Sequence, residues 1–131
     1  MTLSAEDRFA IADLINLHGH LVDRGDFDGL SALFTEDVAY DVSALGGGVL
    51  AGLAAAREAA EALGDANPVA HHVTNIVLEE RGEAVHARSK GLGVMTDGSV
   101  GSVTYEDTVE RRAEGWRITH RVVLPRTKPL T

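Results

Sequence analysis

The chain has 131 residues, the size of one domain, and its apolar fraction of 44% is ordinary for a soluble globular protein. With 20 acidic and 12 basic residues its formal net charge is -8, so it repels phosphate backbones and nucleic acid is not an expected partner. It contains no cysteine, which excludes disulfides, thiolate metal sites and a cysteine nucleophile.

The amino terminus gives no sign of export, and the rest of the chain gives no sign of a membrane anchor. The first ten residues, MTLSAEDRFA, lack a basic segment followed by an apolar run, so no secretory signal is expected. No apolar stretch approaches the roughly 20 residues that a membrane-spanning helix needs. The lack of cysteine agrees with a reducing compartment. We therefore expect a cytoplasmic protein without a membrane partner, in which residues 1–131 form a single domain.

The first predicted element is a helix from about Ser4 to Arg24. Ser4 is a typical N-cap residue, and Gly25 is a typical helix terminator. The apolar residues of the segment fall on one face of a helix with 3.6 residues per turn. They are Ile11, Leu14, Ile15, Leu21 and Val22. A short second helix is predicted over residues 26–34.

The remainder of the chain predicts an α+β fold. Residues 37–44 alternate as a strand does, residues 46–48 form a glycine loop without the signature of a phosphate loop, and residues 52–64 form an alanine-rich helix. Four strands joined by short turns then predict an antiparallel meander. These strands span residues 69–79, 83–95, 102–112 and 116–124. Because the long helix covers part of a curved sheet, the concave side should enclose a pocket.

Two polar residues on the first helix are candidates for the site. His18 lies in the middle of the apolar stripe, where a polar side chain needs a partner or a cavity. It is either a hydrogen-bonded core histidine or a donor to a substrate oxygen. Asp23 lies near the carboxyl end of the helix, where a carboxylate opposes the helix dipole. It either caps the following turn or accepts a hydrogen bond from an inward histidine and orients it.

Two adjacent histidines, His71 and His72, begin the strand over residues 69–79. Neighbouring residues on a strand face opposite sides of the sheet, so at most one of the two points inward. His72 has the same parity as the apolar residues Ile76 and Leu78, which makes it the inward candidate. A bulge at Thr74 and Asn75 would reverse this assignment.

Four further residues fall on predicted apolar faces. Tyr40 alternates with two valines and either donates to a substrate carbonyl or only packs. By the same parity Tyr105 and Asp107 face inward on one strand, and His120 faces inward on the next. These are weak signals, because curved strands carry bulges.

Several kinds of chemistry find no support in the spacing of the residues. The chain has no HExxH motif and no His-x-His pair on one strand that would suggest a metal site, and it has no GxSxG motif that would suggest a serine nucleophile. Acid and base catalysis by histidine and carboxylate in a dry pocket, without metal or cofactor, is the chemistry that remains.

Three segments of the chain resemble a known family. The runs INLHGHLVDRGDFDGLSALFTEDVAYD, AHHVTNIVLEERGEAVHARS and TYEDTVERRAEGWRITHRVV resemble the SnoaL-like branch of the NTF2-like superfamily. This superfamily includes polyketide cyclases, scytalone dehydratase, bile-acid dehydratases, ketosteroid isomerase, limonene epoxide hydrolase and dioxygenase β subunits. The resemblance implies a cone-shaped curved sheet around a deep pocket, a homodimer and no cofactor.

The resemblance assigns distinct roles to Asp23 and His72. The segment VDRGDFDGL resembles the dehydratase segment whose aspartate partners the catalytic histidine, which here is Asp23. The histidine that abstracts the proton matches His72 in AHHVTN. The preceding pocket tyrosine of scytalone dehydratase is replaced by Val22, so that role is lost.

Other positions depart from the superfamily's enzymes. The base of ketosteroid isomerase falls on Val42, which argues against that chemistry, although Val42 remains a candidate lining residue. The oxyanion tyrosine of the isomerase falls on His18. The pocket asparagine of scytalone dehydratase falls at Glu106 or Asp107. The substrate is therefore expected to differ from those of both enzymes.

The leading hypothesis is a dehydratase, cyclase or isomerase that acts on an apolar, carbonyl-containing small molecule resembling a polyketide or steroid. His72, held by Asp23, would act as base and then acid, while His18 and Tyr40 bind the enolate oxygen. The alternative is a module that binds a small molecule or joins a complex without catalysis. Epoxide hydrolysis is a third possibility, for which only Arg88 and Asp107 are available.

The outer face of the sheet is expected to be polar or to form the interface of a homodimer. The polar residues assigned to this face by alternation are Arg88, Lys90, Glu106, Glu110, Arg117 and Arg121.

Overall fold

The computed structural model describes residues 2–131. Two α-helices, α1 and α2, and six strands, β1 to β6, follow one another in an order that agrees with the predicted α+β class. The helices are α1 (Ala5–Asp23) and α2 (Leu53–Leu63). The strands are β1 (Phe34–Asp41), β2 (Val49–Ala51), β3 (Ala70–Arg81), β4 (Ala84–Val94), β5 (Val100–Arg112) and β6 (Gly115–Pro125). Short 3-10 helices span Asp28–Ala32, Ser43–Leu45 and Gly64–Ala66.

Helix α1 begins and ends close to the predicted positions. The Ser4 hydroxyl accepts a hydrogen bond from the Asp7 backbone N–H, and the Asp7 carboxylate accepts one from the Ser4 backbone N–H. This capping box satisfies two N–H groups that a helix terminus otherwise leaves free. Gly25 follows the helix with a φ of 70°, in the region where glycine has no steric penalty. The segment after it, predicted as a helix over 26–34, contains only the 3-10 helix Asp28–Ala32.

The six strands form one curved sheet in the order β2-β1-β6-β5-β4-β3. The pairs β3–β4, β4–β5 and β5–β6 are antiparallel, which confirms the predicted meander. Strand β1 joins the far side of the meander by parallel pairing with β6. The short strand β2, which the sequence pattern did not predict, pairs antiparallel with β1. The sheet is therefore mixed rather than wholly antiparallel.

The hydrophobic core lies between α1 and the concave face of the sheet. Its wholly buried members come from both layers: they are Ile11, Ile15, Leu33, Val38, Val85, Ala87, Val109 and Ile118. Two of the predicted stripe residues of α1, Leu14 and Leu21, are also buried. The remaining concave surface, beyond this core, is left for a pocket. In the described residues 2–131, no helix combines the length and apolar character needed to cross a membrane.

A bulge in β3 reverses the side on which its first residues lie. The register with β4 runs from Thr74 opposite Lys90 to Val77 opposite Arg88, so β3 contains one residue more than its partner in this interval. Asn75 takes a positive φ of 58° there. An extra residue shifts the alternation of side chains by one position. Residues before and after the bulge that share sequence parity therefore face opposite sides of the sheet.

We expect the bulge to tolerate glycine at position 75 and to reject valine. A β-branched residue at a left-handed φ is strained, so Asn75→Val should lower the free energy of unfolding by about 1–2 kcal/mol. Asn75→Gly, which has no β carbon, is the matched control and should stay close to the wild type. Urea unfolding followed by circular dichroism measures both variants. Equal stability of the valine and glycine variants would contradict the assigned backbone conformation.

A second bulge, in β6, acts in the same way. Thr108 of β5 pairs with His120 and its neighbour Val109 pairs with Ile118, which leaves Thr119 as the extra residue. Ile118 before the bulge is buried, and Arg121 after it is wholly buried. The assignment of Arg121 to the outer face is therefore wrong, because the bulge turns its side chain inward.

Candidate functional site

The pocket has a volume of about 700 Å³ and opens between the helices and the concave side of the sheet. Of the predicted site residues, the structure places His18, Tyr40, Val42 and Tyr105 in its lining. The side chains of His18 and Tyr105 are almost inaccessible to solvent, so they mark the deep end. Most of the remaining lining is apolar, with residues from α2, β1, β4 and β5. A mostly apolar cavity with a few polar groups at one end is typical of a small-molecule site.

A histidine that lines the pocket is hydrogen-bonded to an aspartate outside the lining. The Nδ1 atom of His71 lies 2.7 Å from Oδ1 of Asp23. The backbone N–H of His71 also donates to the Asp23 carboxylate, at 3.0 Å to Oδ1 and 3.1 Å to Oδ2. Both side chains are partly shielded from water, with exposures of 17% for His71 and 27% for Asp23. The ring contact orients the imidazole, and the two backbone contacts hold the start of β3 against the same carboxylate.

A close approach of α1 to β3 brings these two residues together. A β carbon at Gly19 would collide with the backbone carbonyl of His71, so only glycine allows the two elements to lie this close. Asp23 lies one turn further along α1, at the end of the helix, beside the same part of β3. The Asp23 carboxylate lies at the negative end of the helix dipole, and its hydrogen bonds with the N–H groups of His71 compensate this unfavourable position.

The expected position of His72 is wrong. His72 is exposed and does not line the pocket, whereas His71 does. Alternation counted back from the inward residues Ile76 and Leu78 placed His72 on the same side. The bulge at Asn75 lies between His72 and these two residues and reverses the alternation. The partner of Asp23 is therefore His71, the neighbour of the predicted residue.

The bond to Asp23 determines which nitrogen of His71 carries a proton. An ionised carboxylate only accepts hydrogen bonds, so the neutral imidazole must be protonated at Nδ1. The Nε2 atom then keeps its lone pair. An imidazole held in this tautomer at the wall of an apolar pocket can accept a proton through Nε2 and later return it.

His18 supplies a second imidazole at the deep end. Its ring lies edge-to-face with those of His71 and Tyr105, with centroid distances of 5.8 and 6.1 Å. Burial, reinforced by the charges of Arg121 and His71, holds the pKa of His18 well below its usual value. The ring therefore stays neutral. Its Nδ1 atom is buried and has no hydrogen-bond partner among residues 2–131, which favours the pocket role over that of a satisfied core histidine.

A buried ion pair lies beneath Tyr105. Arg121 donates from Nε and Nη2 to the two carboxylate oxygens of Asp107, at 2.7 and 2.9 Å, and both side chains are wholly buried. Burial alone would lower the pKa of Arg121, but the charge and hydrogen bonds of Asp107 raise it above its usual value. The guanidinium carbon lies 4.1 Å from the centre of the Tyr105 ring, a cation–π contact.

The ion pair and its surroundings keep the pocket floor neutral and rigid. The charge of Arg121 is balanced by Asp107, and its free atom, Nη1, has no partner among the described residues. Burial is the main cause that raises the pKa of Tyr105 to about 12, so its hydroxyl remains protonated and can donate a hydrogen bond. The Arg121 guanidinium also lies 5.4 Å from the Phe34 ring, and so supports two aromatic lining residues.

The two remaining predicted residues lie outside the pocket lining. Asp107 faces inward as predicted, but it pairs with Arg121 instead of lining the cavity. His120 is exposed, because the bulge at Thr119 separates it from the inward alternation of Trp116 and Ile118. The prediction that it lines the site is wrong.

The polar pairs on the outer face argue against two further assignments. Arg88 lies mostly exposed and donates to Glu106 at 2.8 Å, and Glu106 also contacts His86. Arg88 therefore does not meet the inward Asp107, as epoxide hydrolysis by these two residues would require. Glu106 faces away from the pocket. Of the two positions that matched the pocket asparagine of scytalone dehydratase, only Asp107 therefore faces inward.

Sequence reasoning preferred His72 and placed His71 inward only if β3 contained a bulge, and it missed Arg121, although both His71 and Arg121 had a local signal. Asn75 interrupts a run of strand-forming residues, and asparagine is one of the few residues that adopt a positive φ. For Arg121 the signal was indirect: an inward Asp107 needs a partner, because an unpaired buried carboxylate is costly. Among residues 2–131, no group of three or more histidine, aspartate or glutamate side chains is arranged to hold a metal ion.

Comparison with known proteins supports the architecture and gives the family. The model of the SnoaL-like domain matches residues 3–122, nearly the whole chain. The chain belongs to the SnoaL-like family. This family lies within the NTF2-like superfamily, and the curved sheet around an apolar pocket is the fold that the sequence resemblance implied.

Several solved structures superpose well on the chain. A candidate aromatic ring hydroxylase from Novosphingobium aromaticivorans is 30% identical, with coverage of 97% of this chain and 94% of that chain and a TM-score of 0.79. A candidate scytalone dehydratase from the same organism is 21% identical, with coverages of 92% and 84% and a TM-score of 0.75. LinA is 23% identical, with coverages of 95% and 92% and a TM-score of 0.78. The last two likenesses establish the fold alone. No curated protein matches the chain.

Proposed function

We propose that this SnoaL-like protein is a cofactor-independent lyase, isomerase or cyclase in which His71, oriented by Asp23, transfers a proton on an apolar carbonyl compound. The observation that carries the proposal is the 2.7 Å hydrogen bond between His71 Nδ1 and Asp23 at the wall of an apolar pocket. A histidine fixed in this way is a general base whose second nitrogen is free for the substrate. Membership of the SnoaL-like family and a fold like that of a candidate scytalone dehydratase are consistent with this proposal.

The proposed first step is removal of a proton from the carbon next to the carbonyl. The C–H bond breaks, its proton moves to His71 Nε2, and its electron pair forms a carbon–carbon double bond as the carbonyl oxygen gains negative charge. The carboxylate of Asp23 stabilises the positive imidazolium. A positioned base of this kind typically contributes about 10²–10⁴-fold to the rate.

The enolate oxygen would lie among the neutral donors of the pocket. Tyr105 and Tyr40 bring hydroxyl groups to the lining, and His18 brings a neutral imidazole. A well-placed donor in a dry site contributes roughly 3 kcal/mol to stabilisation of such an oxyanion. Tyr105 shares the role that the sequence assigned to His18 and Tyr40, because it lies at the buried end beside His18.

The His71 imidazolium then gives up its proton, and the substrate atom that accepts the proton determines the type of reaction. If the proton moves to a hydroxyl on the adjacent carbon, water leaves and a double bond remains. If the proton moves to a different carbon, the substrate is isomerised. If the enolate carbon attacks a second carbonyl of the same molecule, the proton moves to the new alkoxide and a ring closes. Each course uses the same His71 and Asp23.

Exchange of substrate hydrogen with solvent tests the shared first step. The protein should accelerate deuterium incorporation next to the carbonyl of 2-tetralone, an apolar two-ring ketone, as measured by proton NMR in D2O. Asp23→Asn removes the carboxylate charge and should slow this exchange by about tenfold or more. Asp13→Asn, on the exposed side of α1, is the matched control and should leave the rate unchanged.

Binding without exchange would decide against the proposal. If 2-tetralone binds in the pocket with no acceleration of exchange above the rate in buffer, the protein is better described as a non-catalytic binding module. Equal rates for the wild type and Asp23→Asn would remove the orienting role of Asp23.

A further inference from the structure

Two glycines face each other across β4 and β5 in the wall of the pocket. Gly93 and Gly101 are register partners, and both line the cavity. A β carbon on Gly93 would lie 3.1 Å from Pro68, whereas a β carbon on Gly101 would meet no atom within 4 Å. Any other residue at position 101 would therefore place its side chain in open space. We call the bare backbone of these two residues the glycine shelf.

The backbone does not require glycine at position 101. Its φ lies outside the left-handed region, unlike that of Gly98 in the adjacent turn, where φ is 86°. Glycine inside a strand weakens it, and such a residue often marks a place where a ligand approaches the backbone. Since neither turn geometry nor packing explains Gly101, the space that it leaves open is the remaining explanation.

The glycine shelf begins beside the proposed base. His71 is the register partner of Gly93 on β3, so His71, Gly93 and Gly101 form one row across three strands. Neighbouring strands lie about 4.8 Å apart, which places Gly101 about 10 Å from His71 along this row. A ligand with its reacting carbon at His71 would thus reach Gly101 only if it is longer than one six-membered ring.

The size and rim of the pocket agree with a ligand of that length. An engineered cavity of about 150 Å³ holds benzene, whereas this pocket has about 700 Å³. Three lining residues at its mouth are apolar and more than half exposed: Leu45, Leu63 and Val100. An apolar lining that continues to the surface can cover a ligand along its whole length.

We propose that Gly101 is a specificity-determining residue that lets the pocket accept an apolar carbonyl compound with more than one fused ring. The rings lie flat on the glycine shelf, while the carbonyl and its adjacent C–H group lie beside His71. This inference rests on the proposed function for the position of the reacting carbon. Its test uses equilibrium binding and no turnover, so its failure is distinguishable from failure of His71 as the base.

A matched series of aryl methyl ketones tests the size limit. Acetophenone, 2-acetonaphthone and 2-acetylphenanthrene carry the same acetyl group on one, two and three fused rings. We expect the Kd of the wild type to fall by about tenfold for each added ring, because each adds buried apolar surface. Ligand fluorescence measures the two larger ketones, and NMR titration measures acetophenone.

Side chains of increasing size at position 101 should progressively remove the gain in affinity that the larger ketones have over acetophenone. Gly101→Ala should weaken binding of the three-ring ketone moderately, and Gly101→Val should weaken it by about tenfold or more. Binding of acetophenone should stay within about twofold in both variants, since one ring at His71 does not reach Gly101, about 10 Å away. Ala113→Val, in the exposed β5–β6 hairpin, adds comparable apolar volume outside the pocket and should change none of the three constants.

Any one of four results would overturn the proposal. The first is that the wild type binds the three ketones with equal Kd, and the second is that it does not bind the three-ring ketone saturably. The third is that Gly101→Val binds all three ketones as the wild type does. An equal loss for all three ketones in both Gly101 variants would also overturn it, because that pattern indicates damage to the whole pocket. Circular dichroism of the alanine variant, the smallest change, verifies that the fold is retained.

Discussion

His71→Gln is expected to slow proton transfer by about 10²–10⁴-fold, whereas His72→Gln is expected to leave it nearly unchanged. The two residues are adjacent in sequence, but His71 contacts Asp23 and lines the pocket while His72 is exposed. A glutamine at position 71 can still donate a hydrogen bond to Asp23, so the wall of the pocket is preserved. It has no basic nitrogen to accept the substrate proton.

His72→Gln is the matched control for His71→Gln. Both remove one imidazole, both introduce the same side chain, and both lie near the start of β3. Hydrogen exchange at 2-tetralone gives the rate, and binding of the same ketone shows that the pocket remains intact. A large loss of rate in His72→Gln with little loss in His71→Gln would contradict the orientation of the strand and restore the assignment made from parity.

The assignment of the inward histidine shows which structural features sequence patterns cannot predict. Helix α1 could be predicted because its cap, its apolar period and its terminal glycine are all local. The meander could be predicted because short turns separate strands of alternating character. A bulge differs, since it is defined by an extra residue relative to the partner strand. Parity counted along β3 alone contains no information about that partner, so it selected His72 in place of His71.

Arg121 shows the same limit for a buried charge. Its neighbours Ile118 and Val123 are apolar, and simple alternation from Ile118 placed His120 inward and Arg121 outward. The bulge at Thr119 reverses both. The inward position of Asp107 was predicted, and a buried carboxylate needs a partner. However, sequence alone could not decide whether that partner was a cation, a ligand or a backbone group.

Loss of Arg121 is expected to cost more stability than any other single change considered for this protein. Arg121→Met leaves the carboxylate of Asp107 buried without its partner, and breaking a buried pair in this way typically costs about 3–5 kcal/mol. Urea unfolding followed by circular dichroism measures the loss. The exposed pair of Arg81 and Glu79 is the matched control, because Arg81→Met should cost at most about 1 kcal/mol.

The double variant Arg121→Met with Asp107→Leu separates the two contributions of the ion pair. Replacing both charges by apolar groups removes the unpaired carboxylate, so most of the lost stability should return, as it does for other buried pairs. The cation–π contact beneath Tyr105 would still be absent. If the pair serves mainly to position Tyr105, the double variant should be stable and yet bind 2-acetonaphthone more weakly than the wild type. A double variant as unstable as Arg121→Met would show instead that the fold itself depends on the guanidinium between Tyr105 and Phe34.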